Sequence, residues 1–496
     1  MSQDECRAAV SIRELPFVVV DFLEHAHPRF FAGIQGPVGL FVRYLRRKPG
    51  RGLTILYQAG SVGGSRRNRL AIPRRWVTVM TGNRVLAETT VHSVPRQRQA
   101  AALDVRTPGT AVADAGVTVQ VFPDDRGLLA LGESCAPSPR GAVYSALETA
   151  ARIYLRDDSW RLIVATAQPV RYKPSSRCVI RYSLLLERAT LEGTQQKDVA
   201  LYGKLYSDPE HAFACHATLQ RLYAEQAQTG PPIIPRPLGA VDTLGLVLSA
   251  AVPASKEGEF VLAQPGFHVL RPRVLRGDSG EVKDTIIPSE ALRMTAAALA
   301  RLHTSALRSG SPRTGVEEAK RVEERAALIA ASNPEQAERT QQLGHQLATL
   351  LKTLQSDAYR PAHGGFKPSQ LLFSRHRVFM VDLDGFCLAD PALDVGYFLA
   401  YLRPSGLWYD RAGMREWFED SSARFVDAYR LALSERGIED ATTHAIMHRT
   451  RLYAAAILFK IAARRINRMN SRRPEELSSI LMEVACLMKL FRDRTT

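Results

Sequence analysis

Between residues 15 and 135 the chain alternates short apolar and polar runs, as in Leu53-Thr54-Ile55-Leu56-Tyr57, Trp76-Val77-Thr78-Val79-Met80 and Val117-Thr118-Val119-Gln120-Val121, separated by turn-forming residues. A period of two places successive side chains on opposite faces of a strand, so this stretch predicts an antiparallel sheet. Pro137, Pro139 and Gly141 then break the pattern and mark a boundary. A second β-rich segment follows over 165–206, then a helical pattern from Glu210 to Gln226 and further strands to about Val252. From Ser289 the apolar spacing is helical to the end, apart from a strand-and-loop stretch at 362–394. The expected organisation is α+β: a β-rich, basic N-terminal domain (1–140), a small β lobe (150–255) and a large helical lobe (256–496).

Two parts of this pattern resemble each other. Arg43-Tyr44 and Lys48-Pro49-Gly50 lead into the strand at 53–57, and Arg171-Tyr172-Lys173-Pro174 leads into Cys178-Val179-Ile180-Arg181-Tyr182. Each is a basic turn feeding an alternating strand, which reads either as a duplicated half-lobe or as two unrelated hairpins.

At 496 residues the chain is long enough for several domains, each with its own core. Its 45% hydrophobic and 23% charged residues are ordinary for a folded globular protein. No run approaches the roughly twenty apolar residues of a spanning helix, and the opening MSQDECRAAVSIREL has no signal-peptide order. The expectation is a cytoplasmic protein without membrane attachment. Six scattered cysteines without CxxC pairs argue against a zinc site or a disulfide framework and predict reduced core fillers. The net charge of +16 attracts anions in general, nucleotides and phosphorylated substrates included. No aromatic-interleaved basic motif or recognition helix accompanies it, so nucleic acid is the disfavoured partner.

The chemistry concentrates in His363-Gly364-Gly365-Phe366-Lys367-Pro368-Ser369-Gln370-Leu371-Leu372-Phe373, then Val378–Asp384, then Ala389-Asp390-Pro391-Ala392-Leu393-Asp394-Val395-Gly396. This is a glycine-bearing loop with a polar end, a short apolar strand, and Asp382 and Asp384 just after it. If the strand continues, the two carboxylates point to one side. Carboxylates beside an amide oxygen suit a hard divalent cation shared with phosphates, and they equally suit an acidic turn with capping roles. Upstream, Asp198–Tyr206 alternates as a central strand with Lys204 in its interior, and a lysine there is costly to bury unless it meets an anion.

The run HGGFKPSQLLF with VDLDGF and ADPALDVG resembles the catalytic signature of aminoglycoside phosphotransferases and their choline-kinase-like relatives, a resemblance covering about residues 165–490. It implies a bilobal protein kinase-like fold, ATP or GTP and Mg2+ as cofactors, and a small hydroxylated acceptor. Gln370 and Asp382 match the family's metal ligands. His363 and Asp394 match architectural residues of the catalytic loop, Asp394 as its buried brace. Gly365 stands where the family has its catalytic Asp, so the base that receives the acceptor's proton is missing; Asp384 and Lys367 are the candidates to compensate. Lys204 matches the phosphate-contacting lysine, with Glu210 as its expected partner. Lys173 and Arg177 flank the turn that would cover the phosphates, in place of the usual glycines. Ala250 and Val252 lie in the segment resembling the hinge to adenine. Arg464, Arg465, Arg468, Arg472 and Arg473 either border the acceptor site or form a basic helix face. The Gly365 departure leaves two functions in view: an active small-molecule phosphotransferase, or a pseudokinase acting as a nucleotide-binding or scaffold protein, with a protein partner open to the N-terminal domain.

Overall fold

The computed structural model describes residues 15–27, 29–32, 34, 38–48, 52–61, 75–81, 94–95, 117–252, 264–265, 269–270, 288–354, 356, 359–374, 377–403, 412–466 and 476–493. The described residues form two compact units, one of Met1–Phe213 and Leu238–Ser249, the other of Ala214–Pro237, Ala250–Ile466 and Arg473–Thr496.

The first unit begins with helix α1 (Leu15–Ala26), where strand-like alternation was expected. The segment LPFVVVDFLEHA has three consecutive valines, which favour strands locally. It also places Leu15, Val19, Phe22 and Leu23 three to four residues apart, and all four are fully buried. That stripe packs on Leu40, Ile55, Tyr57, Val77, Val79 and Val119 of the adjoining sheet, so tertiary burial overrides the local β preference. The sheet comprises β1 (Val38–Lys48), β2 (Gly52–Ser61), β3 (Trp76–Thr81), β4 (Val94–Pro95) and β5 (Val117–Val121), in the order β4-β1-β2-β3-β5. The pairs β1–β2, β2–β3 and β3–β5 are antiparallel.

After α2 (Leu131–Cys135) and α3 (Ala142–Leu155) comes a second sheet: β6 (Arg161–Lys173), β7 (Arg177–Thr190), β8 (Gly193–Tyr206), β9 (Pro237–Val241) and β10 (Leu246–Ala250), ordered β6-β7-β8-β10-β9. Between β8 and β9 the chain runs through helix α4 (Pro209–Thr229). The two halves repeat one plan, a helix followed by a meander: α1 before β1-β2-β3-β5, α3 before β6-β7-β8-β10.

The second unit is mainly helical: α5 (Pro288–His303), α6 (Gly315–Ser332), α7 (Ala337–Lys352), α8 (Ala392–Leu402), α9 (Met414–Ser434), α10 (Asp440–Ile466) and α11 (Glu476–Arg492). One core runs through it, built from residues such as Leu299, Leu347, Phe366, Phe398, Phe425 and Phe459. Two three-stranded sheets interrupt the helices: β11 (Gln264–Pro265) with β14 (Leu371–Ser374) and β15 (Arg377–Met380), and β12 (Pro312–Arg313) with β13 (Arg360–Ala362) and β16 (Cys387–Ala389). The first unit is thus built on antiparallel sheets and the second is mainly helical, an α+β architecture. No helix among the described residues is long and apolar enough to cross a membrane. Five described cysteines are free, and Cys135, Cys178 and Cys387 are buried.

Candidate active site

The β14–β15 hairpin sets the centre of the site. Its register pairs Leu371 with Met380, which brings the residues just past the hairpin's open end, Gln370 and Val381, face to face. Val381 N–H donates to the Gln370 carbonyl at 2.9 Å. The Gln370 amide nitrogen donates to Asp382 Oδ2 at 3.3 Å, an orientation that follows because a carboxylate only accepts. The other end of the amide, Oε1, is buried without a hydrogen-bond partner. An orphaned acceptor beside a carboxylate is a donor set that fits Mg2+, which takes oxygen ligands.

Asp382 and Asp384 do not continue the strand, contrary to the alternation that would have set them on one side. The sheet ends at Met380, Asp382 adopts φ 68°, and Leu383–Gly385 form a single 3-10 turn. A left-handed conformation at a non-glycine costs roughly 1–3 kcal/mol and tends to persist where a site requires it. Asp384 is half-buried within that turn.

Asp394, in the first turn of α8, is fully buried and ties the loop down: its carboxylate accepts from His363 N–H at 2.6 Å and Gly364 N–H at 3.0 Å. His303 Nε2, at the end of α5, lies 3.4 Å from the same carboxylate, and its Nδ1 pairs with Tyr429 Oη at 2.6 Å. Burial acts to raise the Asp394 pKa, but the hydrogen bond from His303 and the charges of His303 and His363 hold it below the ordinary value. The ring of His363 reaches the Val381 carbonyl at 3.2 Å, joining the loop to the strand that delivers Asp382. Gly364 has φ 71°, and a Cβ there would sit 2.0 Å from the Gly385 carbonyl oxygen, so only glycine fits. Gly365 is different: a Cβ would meet nothing within 4 Å. Lys367 Nζ lies 5.4 Å from the ring centre of Tyr401.

Arg313 Nη1 donates to the Gly364 carbonyl at 2.6 Å while its Nε holds Glu318 at 2.7 Å. Asp390 is buried against Arg449 of α10, at 2.6 and 3.3 Å, which fixes the start of α8 to the core. Ala250 N–H donates to the Arg236 carbonyl at 2.9 Å, and Val252 packs with Leu372 and Phe379 as a small apolar cluster.

Lys204 lies in the first unit on β8, the central strand of its five-stranded sheet, opposite Val179 of β7; the edge-strand position that would make it an ordinary solvated lysine is excluded. It is half-buried, and its Nζ is 5.2 Å from the ring centre of Tyr206. Lys173 and Arg177 face each other across the β6–β7 turn. Glu210 is exposed in the first turn of α4, its backbone N–H bonded to Asp208. Lys204, Lys173, Arg177 and Glu210 thus belong to the first unit, and Ala250, Val252 and the residues from 363 to 394 to the second. Arg464 and Arg465 end α10, whereas Arg468, Arg472 and Arg473 lie outside the described residues.

Sequence reasoning missed Tyr397, Tyr401 and Lys460, which assemble next to the glycine loop, and it missed Asp125, which holds the β6–β7 turn. The signal for Lys460 was in view: a lone lysine in the apolar run Ala454–Ala463, the feature that singled out Lys204.

Residues 204–442 match the model of a phosphotransferase enzyme family. No curated protein matches the chain. Among solved structures, a glucosamine kinase is similar at 16% identity over 91% of each chain, with a TM-score of 0.43. A choline kinase from Streptococcus pneumoniae is similar at 11% identity over 70% of this chain and 99% of that one, TM-score 0.39. A choline/ethanolamine kinase family protein from Mesorhizobium loti is similar at 13% identity over 62% and 84%, TM-score 0.38.

Proposed function

We propose, from the premise that residues 204–442 belong to the phosphotransferase enzyme family, that this chain binds ATP or GTP with Mg2+ and transfers the terminal phosphate to a hydroxyl of a small molecule. The observation that carries the reading is the buried, partnerless Oε1 of Gln370 beside Asp382. Magnesium held by Gln370 and Asp382 would neutralise the phosphates in transfer. Lys204 is the cation for the nucleotide's phosphates, with Lys173 and Arg177 across the covering turn. The apolar cluster of Val252, Leu372 and Phe379 suits the face of a purine. Kinase-type transfer draws most of its rate from positioning and charge neutralisation, and these residues are equipped for both.

Gly365 favours a second reading, a pseudokinase that holds nucleotide without transferring phosphate. A glycine accepts no proton; Asp384 or Lys367 must then compensate, or turnover is lost.

Thermal stabilisation by ATP and GTP, with and without Mg2+, tests the site. A ligand at a hundred times its Kd adds about 2.7 kcal/mol to the native state. Stabilisation of the wild type that Lys204→Ala and Asp382→Ala abolish is the expected result, and none in the wild type would overturn the reading. Gly365→Asp then separates the two functions. Because the position has room for a side chain, the variant gains turnover if only the base is missing, and unchanged turnover counts against that account.

A further inference from the structure

Around Lys460 the described residues of the second unit gather more cations than carboxylates. Lys460 of α10 is partly buried, hydrogen-bonds the hydroxyl of Tyr397 and lies 4.6 Å from that ring's centre. One turn on, Arg464 Nη1 donates to Tyr401 Oη at 2.9 Å. Tyr397 and Tyr401 of α8 stack in parallel, ring centres 6.1 Å apart and planes 3° apart. Lys367 from the glycine loop approaches the Tyr401 ring, and Arg313, which holds the Gly364 carbonyl, lies 5.8 Å from the Tyr397 ring. The cluster therefore borders the loop on which the reacting hydroxyl would sit.

The groups facing Lys460 electrostatically are Arg464 on its own helix, Arg325 and Glu318 on α6, and Arg313 before α6. Among the described residues three of these are cations, and the one carboxylate, Glu318, is already shared between Arg313 at 2.7 Å and Arg321 at 2.5 Å. Burial, then the neighbouring arginines, push the lysine down to about 6. An amine in such a place is either deprotonated or compensated by an anion from outside.

Resting on the phosphotransferase reading for its place beside the reacting hydroxyl, we propose that the acceptor is an anionic hydroxylated small molecule, whose carboxylate or phosphate group is held by Lys460, Arg464 and Lys367 beside Tyr401. The half-buried Tyr401 supplies an apolar face for the carbon frame, the fully buried Tyr397 fixes Lys460 in place, and the cations supply charge-assisted hydrogen bonds. Anion binding re-protonates Lys460, so binding takes up a proton and weakens by roughly tenfold per pH unit above about 6.

The test holds the carbon frame nearly constant and varies its charge: glucose 6-phosphate, gluconate, glucose and glucosamine, each scored by calorimetry and thermal shift without nucleotide. The two anions are expected to bind, the neutral and cationic sugars at least tenfold more weakly, and the stronger anion identifies phosphate or carboxylate as the group recognised. Lys460→Met should lower anion affinity at least tenfold while leaving thermal stability at neutral pH equal or higher, since it replaces a half-buried amine, pushed down to about 6 and largely uncharged there, with an apolar chain of similar length; Arg464→Gln, at an exposed position, should weaken anions without affecting folding. Proton uptake, read from calorimetry in two buffers of different ionisation enthalpy, should vanish in Lys460→Met. Equal affinity across the four sugars, preference for glucosamine, or anion binding unchanged by both substitutions would overturn the proposal. These readouts need no nucleotide, so failure of ATP or GTP to bind refutes the phosphotransferase reading while leaving the anion site to stand or fall on its own result.

Discussion

Asp125 offers the sharpest test of how the segment after β5 supports the β6–β7 turn. Its carboxylate is buried and accepts four hydrogen bonds: from Gly127 N–H at 2.8 Å, Tyr172 Oη–H at 2.6 Å, Ser175 N–H at 2.7 Å and Ser175 Oγ–H at 3.1 Å. Two of these come from Ser175 in the β6–β7 turn and one from Tyr172 at the end of β6, and the turn has serines where glycines would ease the bend. Ser175 adopts φ 52°, and the carboxylate is what holds it there. Trp76 of β3 stacks on Tyr172 with planes 5° apart, and a Cβ at Gly127 would come within 2.6 Å of Ser175. Asp125→Ala leaves the Ser175 amide without its acceptor and the buried Tyr172 hydroxyl with Thr78 alone, at about 1–3 kcal/mol each. Release of the left-handed serine, whose conformation costs roughly 1–2 kcal/mol, offsets part of this, so the expected loss of stability is about 1–4 kcal/mol. Asp125→Asn keeps the volume but turns an NH2 toward a donor, and should lose about 2 kcal/mol. Urea unfolding measures both, and a cycle with Tyr172→Phe isolates the pair. On the function proposed above, nucleotide affinity falls alongside, because the turn sets Lys173 and Arg177. Asp125→Ala within 1 kcal/mol of wild type, with nucleotide affinity unchanged, would refute the reasoning.

Gly364→Ala should cost more than about 3 kcal/mol, the left-handed penalty plus displacement of the Gly385 backbone, whereas Gly365→Ala should stay within about 1 kcal/mol; thermal melts of the two variants compare them directly. Asp394 has a folded pKa below its ordinary 3.8, so its contribution is fully present above that value and is lost as pH falls from 3.8 toward the lowered one. Asp394→Asn should flatten that acid limb of the stability curve and, since its NH2 must face either His363 N–H or Gly364 N–H, lower stability at neutral pH by about 2–4 kcal/mol.

What could be read in advance divides along a physical line. Alternation and helical spacing are local, and they placed the two sheets, helix α4 and the helical lobe, failing at α1, where a valine run is held in a helix only by the sheet beneath it. The glycine loop, Gln370, Asp382 and Asp394 stood out through their resemblance to a phosphotransferase signature, and the structure brings Gln370 beside Asp382 and ties Asp394 to the loop; the metal-holding role belongs to the proposal above. The side that Asp384 faces was not legible, because alternation holds only while the strand does, and the chain leaves the sheet at Met380. Contacts between distant segments leave no spacing to read. Asp125 meets Ser175 across 50 positions, and Lys460 meets Tyr397 across 63. Yet each left a trace of a different kind, a cost without a visible compensation: serines where the turn needs a left-handed residue, and a lysine in an apolar helix. Such a cost in a sequence implies that its compensation lies elsewhere in the fold or in a ligand. For Ser175 it lies in the fold, as Asp125. For Lys460 the one carboxylate acting on it among the described residues is already committed to two arginines, which is why the proposal above looks to an anionic ligand.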